Sequence, residues 1–442
     1  MTTSDADGLR ARLRSGDQQY TVIATVIAST FFVGFGGGVI FPILPNLGKV
    51  LGISPFMVGL ILSANRFSRL FANAPAGIVV DRVGTRTPFV VGLAIQGVGT
   101  GGYIVAMYSA LPSAWFLAAR IGWGFGSALV FATAYTIAAD LSDGGSRGTN
   151  MGLIRGGVIF GFPTGLVVGG LVSELYGTVA AFVVATGFAL LASILAYLAV
   201  PETHVEGNPR QSVKPWDVDT SLPSVTIGLV NFAVLFAYIG VLFATLVLFL
   251  EENQIGVFGL DAQGTSGLFM AVTVIAAAVF MFLSGYLSDR RGSRMPALLA
   301  FLFITFVGLV LFAFAQSVPL LTVACLLIGA GQGGTSGPLM ALLADLTPED
   351  RMGRAVGTNN VFGDIGGGLG PMVSLPLVEA VGFWPVYIAC AVLPLVAGGI
   401  LLAGVHRETG TFLPRVEDEK TESGTAPGSA GVDEGSGAGV DD

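Results

Sequence analysis

The sequence predicts an all-α membrane protein, with twelve transmembrane helices in two pseudo-symmetric six-helix bundles. Its composition is the first reason: charged residues are 11% of the chain and apolar residues 53%, against roughly 25% charged in a soluble domain. The second is a set of apolar windows of about 20 residues, the length that crosses a bilayer. The third is internal repetition. Residues 77–86, GIVVDRVGTR, and 285–294, GYLSDRRGSR, share the template Gly-x-x-x-Asp-Arg-x-Gly-x-Arg at a separation of 208. ADLSDGGSRGTNMG at 139–152 and ADLTPEDRMGRAVG at 344–357 repeat at a separation of 205. Two independent motifs with nearly one period make the chain two copies of a unit of about 200 residues.

The windows fall near 20–44, 55–80, 87–109, 113–139, 150–173 and 178–200 in the first copy. In the second they fall near 223–250, 264–287, 296–316, 319–344, 355–378 and 383–405. The chain has 64 glycines, many of them inside these windows, where they permit the close backbone approach that packs membrane helices. A soluble helical protein would need charged helix faces that these segments lack. Residues 1–19 form a polar N-terminus. They carry Arg10, Arg12 and Arg14, but the span that follows is too long for a signal-peptide core and is expected to stay in the mature protein.

Basic residues set the orientation. Of 21 Lys and Arg, all but Lys49 and four intramembrane arginines fall at the two termini or in the loops after spans 2, 4, 6, 8 and 10. The positive-inside bias therefore places both termini in the cytoplasm, with the plasma membrane as the expected location. Residues 201–222, polar and proline-bearing, read as a cytoplasmic hinge between bundles 20–200 and 223–405. Residues 406–442 are acidic and Gly/Ser-rich and read as a disordered cytoplasmic tail. Cys325 and Cys390 sit within spans and signal neither a disulfide nor a metal.

Each copy of the repeated template would sit at the cytoplasmic end of a span. Gly77, Asp81, Arg82, Gly84 and Arg86 follow span 2; Gly285, Asp289, Arg290, Gly292 and Arg294 follow span 8. An Asp at a helix end can accept bonds from the free N–H groups that begin a neighbouring helix, and the arginines can bridge carboxylates or lipid phosphates. Such clusters would latch the two bundles on one face. A tight turn with positive-inside anchors is the alternative for Arg86 and Arg294 taken alone; for Asp81 the latch is the better reading, since a simple turn has no need of the whole template.

Four arginines lie inside spans, all in the first copy: Arg66, Arg69, Arg120 and Arg155. Each costs about 2.5–3.5 kcal/mol at a helix centre on insertion scales, so most must face water or a partner. Arg66, Arg69 and Asn73 follow i, i+3, i+7 on one stripe of span 2. A positively charged cavity between the bundles follows, unless Arg66 or Arg69 is absorbed by backbone carbonyls or a neighbouring span. Asp364 in span 11 is the one acid placed well inside a span. A buried carboxyl can titrate near neutrality and carry a proton; the alternatives are a fixed ion-pair partner for an arginine of the other half, or a cap on a kink. Asn359 and Asn360, one turn away, are candidate substrate ligands. Glu174 and Glu379 stand 205 residues apart near the outer ends of spans 5 and 11; by position they read as outer-gate or surface residues, with no chemistry assigned.

The two Asp-Arg loops resemble the signature loop of the major facilitator superfamily and its weaker second copy, and the resemblance covers about residues 20–405. Gly152, Gly161, Gly165, Gly169 and Gly170 resemble the glycine motif of that superfamily's proton-coupled antiporters, with Leu166 where its proline stands and Pro163 three residues earlier. Span 11 echoes it at Gly357, Gly366, Gly370 and Pro371. Arg120-Ile-Gly-Trp-Gly124-Phe-Gly126 is similar to its Arg-x-x-x-Gly-x-Gly pattern in span 4. The glycine patterns also read as helix packing alone. The resemblance implies alternating access about a midplane site, as in repeat-built secondary transporters, and a functional monomer in the lipid bilayer. The expected activity is proton-coupled export of a small organic or drug-like molecule, with Asp364 carrying the proton and Arg69 and Arg120 polarising the cavity. Uptake of an anionic metabolite by proton symport or facilitated diffusion is the alternative, and a non-transporting ligand sensor a third. No Gly-x-x-x-x-Gly-Lys loop is present, so ATP is not the energy source. No Ser/His/Asp or Cys/His arrangement is present, and His204 and His406 lie in polar segments. An enzyme, a cofactor, a metal and a nucleic-acid partner are not expected.

Overall fold

A computed structural model describes residues 16–141, 147–203 and 218–414, and among these it is helical without strands. The first repeat contains α1 (Gly16–Val39), a short α2 (Leu44–Val50), α3 (Pro55–Val83), α4 (Arg86–Tyr108), α5 (Pro112–Leu141), α6 (Arg147–Tyr176) and α7 (Thr178–Ala199). The second contains α8 (Leu222–Glu252), α9 (Ala262–Arg291), α10 (Met295–Ala313), α11 (Val318–Asp345), α12 (Met352–Val381) and α13 (Phe383–Thr409). Eleven helices among the described residues are long and apolar enough to cross a membrane. The remaining long helix is α3, whose 29 residues include Arg66, Arg69, Asp81 and Arg82 and make it the least apolar of the set. The middle of the expected hinge and most of the expected tail lie outside the described residues.

Local chemistry explains the boundaries. The first predicted span stops short at Val39, because Pro42 and Pro45 break the helix and restart it as α2. Ser54 caps α3 by accepting from the Met57 N–H, with Pro55 at the first helical position. Gly84 ends α3 at φ +96° and Gly292 ends α9 at φ +61°. Both lie in the left-handed region that disfavours a Cβ, so the template's second glycine is a turn requirement in each copy.

The repeat is visible in the packing. Helix α1 packs on α6 and α7, α3 on α5, and α4 on α5 and α7. In the second repeat α8 packs on α12 and α13, α9 on α11, and α10 on α11 and α13, the same five pairings. The α1–α6 seam is closed by glycine. A Cβ on Gly161 or Gly165 would collide with the carbonyl oxygens of Phe31 and Phe35, and one on Gly169 would lie 2.7 Å from the Val39 Cα. The α8–α12 seam repeats this, with Gly366 against the Phe232 carbonyl and Gly370 against Gly240, beside the buried Pro371. There α8 widens into π-helical turns over Phe236–Phe243, a rare geometry that is frequent at functional sites. Gly170 faces Gln263 of α9, whereas Gly152 and Gly357 face open space and pack on nothing within 4 Å. Across the repeats, α3 meets α12 and α6 meets α9.

Candidate functional site

Those two cross-repeat seams enclose a cavity of about 320 Å³, within the size range of small-molecule sites. From the first repeat it is lined by Phe41 of the α1–α2 turn, Asn65, Arg66 and Arg69 of α3, Trp123, Ser127 and Phe131 of α5, and Arg155, Ile159 and Phe162 of α6. From the second repeat come Tyr238 of α8, Val274 and Met281 of α9, and Gln332 and Ser336 of α11. The helical period selects these faces: Trp123, Ser127 and Phe131 are four residues apart, as are Arg155 and Ile159. Phe162 stacks on Phe243 across the repeats with 8° between rings, and Phe41 packs edge-on to both.

Charge is distributed unevenly. Three arginines line the cavity, all from the first repeat, and no carboxylate is among the lining residues. Asp364 lies behind Arg66 and Arg69. Its Oδ1 accepts from Arg66 at 3.1 Å and from Arg69 at 2.5 Å, and its side chain is 12% exposed. This bridge joins α3 of one repeat to α12 of the other. Ser63 on α3 also donates to the Gly368 carbonyl of α12. Arg155 is exposed to the cavity and makes no ion pair or hydrogen bond with a described residue.

The other predicted residues are dispersed. Arg120 stands behind the wall, 1% exposed. It donates to the carbonyls of Ile61 and Leu62 and to Asn65 Oδ1 at 2.7 Å, and lies over the Trp123 ring. It therefore braces α3 against α5, and Asn65 is what it presents to the cavity. Asn73 and Asn360 are exposed elsewhere. Asn359 is buried beneath Met340, with its backbone carbonyl taken by Asn231. The i, i+3, i+7 stripe and the one-turn spacing from Asp364 identified the right helices for these residues but not their faces.

The ends of the molecule differ. The end holding Arg82, Arg86, Arg290, Arg294 and Arg351 is called basic here, and the opposite one far. All hydrogen bonds between the repeats among the described residues lie from Asp364 to the far end. There Glu174 at the end of α6 accepts from the N–H groups of Asp261 at 2.7 Å and Gly264 at 2.8 Å, which begin α9. Ser173 donates to Gln263, and Lys49 pairs with Glu251 at 2.9 Å. The sequence marks Glu174 by position alone as an outer-gate or surface residue, because an acid at a helix end is chemically ordinary until its partner helix is known.

At the basic end the repeated template is not joined across the repeats. Asp81 and Arg82 are exposed, and Asp81 has no hydrogen bond to a described residue. Arg86 donates to the Tyr197 carbonyl and stacks on its ring, while Glu202 caps α4 through the N–H groups of Thr85 and Arg86. In the second repeat Asp289 and Asp345 both pair with Arg294, and Arg290 stacks on Tyr286. Burial alone would weaken the Arg294 charge, but its two carboxylate partners outweigh that and raise its proton affinity. Gly77 and Gly285 face open space.

A family model described as Major Facilitator Superfamily matches residues 26–371 and 258–426, together most of the chain. The chain belongs to the Major Facilitator Superfamily. An MFS-type transporter of Methanocaldococcus jannaschii is 24% identical over 388 residues, covering 86% of this chain and 97% of that protein. A protein of Streptococcus pneumoniae named multi-drug resistance efflux pump PmrA is 26% identical, covering 81% and 90% respectively. Among solved structures, a bacterial homologue of the human lysosomal transporter Spinster, in an inward-facing and occupied conformation, superposes with a TM-score of 0.75. It is 17% identical over 90% of this chain and 99% of that one. The superfamily fold thus accounts for the repeated helix pairings and for a cavity between the repeats.

Proposed function

We propose that this superfamily member is a secondary transporter with twelve spans in two six-helix bundles, exchanging protons for a small organic molecule that it exports by alternating access. The observation that carries the reading is the Arg66–Asp364–Arg69 bridge, which ties the bundles together beside the cavity. Protonation of Asp364 removes the charge that both guanidiniums hold, so proton occupancy and the arrangement of the bundles become linked equilibria. Arg120 and Asn65 hold α3 so that its arginines stay at the cavity wall. Export is supported by the likeness to proteins named as multidrug efflux pumps. In the plasma membrane, the positive-inside bias directs the basic end to the cytoplasm. The cavity is then closed to the outside by Glu174 and the Lys49–Glu251 pair, and the two Asp-Arg loops form an inner latch that is open.

Proton movement in proteoliposomes tests this. Vesicles loaded with acid and a pH dye would be given a panel of lipophilic cations, neutral drugs and organic anions. Cargo-dependent proton release that is lost in Asp364→Asn is the expected result. Full proton-coupled transport in that variant would remove Asp364 from the coupling role, and no proton movement with any panel member would overturn proton exchange.

A further inference from the structure

We infer that the cargo of this cavity is an amphipathic organic monoanion whose carboxylate or sulfonate binds Arg155, with its apolar body against the aromatic wall. The inference rests on reading the cavity as the transport site and adds the chemical class of what it carries. Arg66 and Arg69 are already engaged by Asp364. Arg155 is the lining cation left with no partner among the described residues, and it is exposed to the cavity rather than buried in the fold. A guanidinium presents a planar fork of donors that matches a carboxylate or sulfonate.

The rest of the wall supplies a place for the body of such a molecule. Arg155, Ile159 and Phe162 succeed one another on a single face of α6, so the anionic anchor and the apolar surface lie on one line. Trp123 and Phe131 flank that line from α5, and Met281 faces it from the second repeat. A lipophilic cation finds the opposite environment. It meets three arginines on the walls and a single nearby carboxylate already held by two of them, a formal excess of positive charge. An interior-negative membrane potential drives anion exit and proton entry alike, so the class is compatible with export by proton exchange.

The test uses three probes of one shape: naphthalene-2-sulfonate, 2-naphthol and 2-naphthyltrimethylammonium, measured by calorimetry on the full chain in a neutral detergent with a protein-free control. Losing a hydrogen bond to a charged group converts to about tenfold or more in affinity. The sulfonate is therefore expected to bind about tenfold tighter than either other probe. Arg155→Gln should weaken the sulfonate about tenfold and leave 2-naphthol within twofold, which also shows that the variant is folded. Arg155→Lys, which keeps the charge but not the fork, should recover part of the loss. Equal binding of the three probes, or an unchanged sulfonate affinity in Arg155→Gln, would overturn the inference. Parallel vesicle assays separate the two readings. Proton movement with the ammonium probe and none with the sulfonate would leave proton-coupled transport standing and sink the anion site. Arg155-dependent sulfonate binding without proton movement for any probe supports the site and sinks the proton-exchange reading.

Discussion

Replacing Asp364 with asparagine keeps the shape of the side chain and removes the charge that joins the repeats. Two charge-assisted hydrogen bonds to Oδ1, at 3.1 and 2.5 Å, become ordinary contacts to a neutral amide oxygen, and Arg66 and Arg69 lose their counter-charge. Breaking one partner out of a buried ion pair costs about 3–5 kcal/mol. Here the three side chains keep 12–28% of their surface in contact with solvent, so water offsets part of the loss and about 2 kcal/mol remains. Because the bridge spans α3 and α12, that energy weighs on the balance between the far-closed arrangement and its alternative. About 2 kcal/mol is roughly a 30-fold shift in that ratio. Spin labels on Val50 and Phe258, both highly exposed at the far end of opposite repeats, would report it as a new population of longer distances. The native Cys325 and Cys390 are buried and leave surface labelling selective. A double-mutant cycle with Arg69→Gln should return a coupling energy of about 1 kcal/mol or more. An unchanged distance distribution, with coupling below about 0.5 kcal/mol, would refute the bridge as a link between the repeats.

Four further outcomes are expected. Glu174→Gln weakens the charge that caps the start of α9, worth about 1 kcal/mol, and should speed alkylation of a cysteine placed at Gln263 roughly fivefold; an unaltered rate would remove Glu174 from the gate. Asp81→Asn should leave the melting temperature within a degree or so, since the side chain is exposed and unpaired, while reducing the population open at the far end; unaltered switching would end the latch reading. Gly161→Ala should cost about 1–3 kcal/mol by overpacking against Phe31, whereas Gly152→Ala, with open space around it, should be neutral or slightly stabilising; equal melting temperatures for the two would refute the seam. Burial disfavours the Asp219 charge, but donors on Ser221 and Ser224 and the positive Arg351 outweigh it and hold the carboxyl below its ordinary value. The stabilisation is thus present above about pH 4 and lost as pH falls through the lowered value, so the melting gap between wild type and Asp219→Asn should close on acidification; a widening gap would contradict it.

Residue pattern fixed the helices better than it fixed what they touch. Apolar length located nearly every long helix within a few residues, because a bilayer demands one length and one polarity. Glycines at i, i+4 marked the α1–α6 and α8–α12 seams, since only backbone contact tolerates nothing larger. Arg120 was misjudged for a physical reason: an intramembrane arginine is satisfied by lone carbonyls as readily as by water, and Ile61 and Leu62 carry no signature of offering theirs. The cavity's neutral residues, Asn65, Ser127 and Gln332, were invisible because spacing within one helix says nothing about which face meets another repeat. Asp364 was legible as an anomaly, and ion pairing to an arginine of the other half was among its readings, but that two arginines share it is a tertiary fact.

The repeat explains why one end is joined and the other is not. Helix α6 meets α9 and α12 meets α3 in equivalent ways, so the repeat offers an acid at each helix end: Glu174 and Glu379 toward the far end, Asp81 and Asp289 toward the basic end. Whether each is used depends on whether the helix it faces already has a cap. At the far end α3 begins with Ser54 accepting from Met57 and with Pro55, which has no N–H to satisfy. Glu379 accordingly stays exposed. Helix α9 begins at Asp261, whose side chain makes no capping bond, and Glu174 supplies the missing acceptor from the other repeat. At the basic end Asp289 is consumed by Arg294 within its own repeat. Helix α12 is led into by a 3-10 turn over Glu349–Arg351 and has no side-chain cap at Arg351, and the last turn of the helix packed on it, α3, carries the exposed Asp81. A helix start without a side-chain cap and an acid with no partner among the described residues therefore remain at the basic end, a counterpart, though led in by a 3-10 turn, of what Glu174 and α9 bring together at the far end. In the proposed alternating-access cycle, closing the basic end would join Asp81 to α12 by the chemistry that holds Glu174 to α9, and would release the Glu174 junction at the far end.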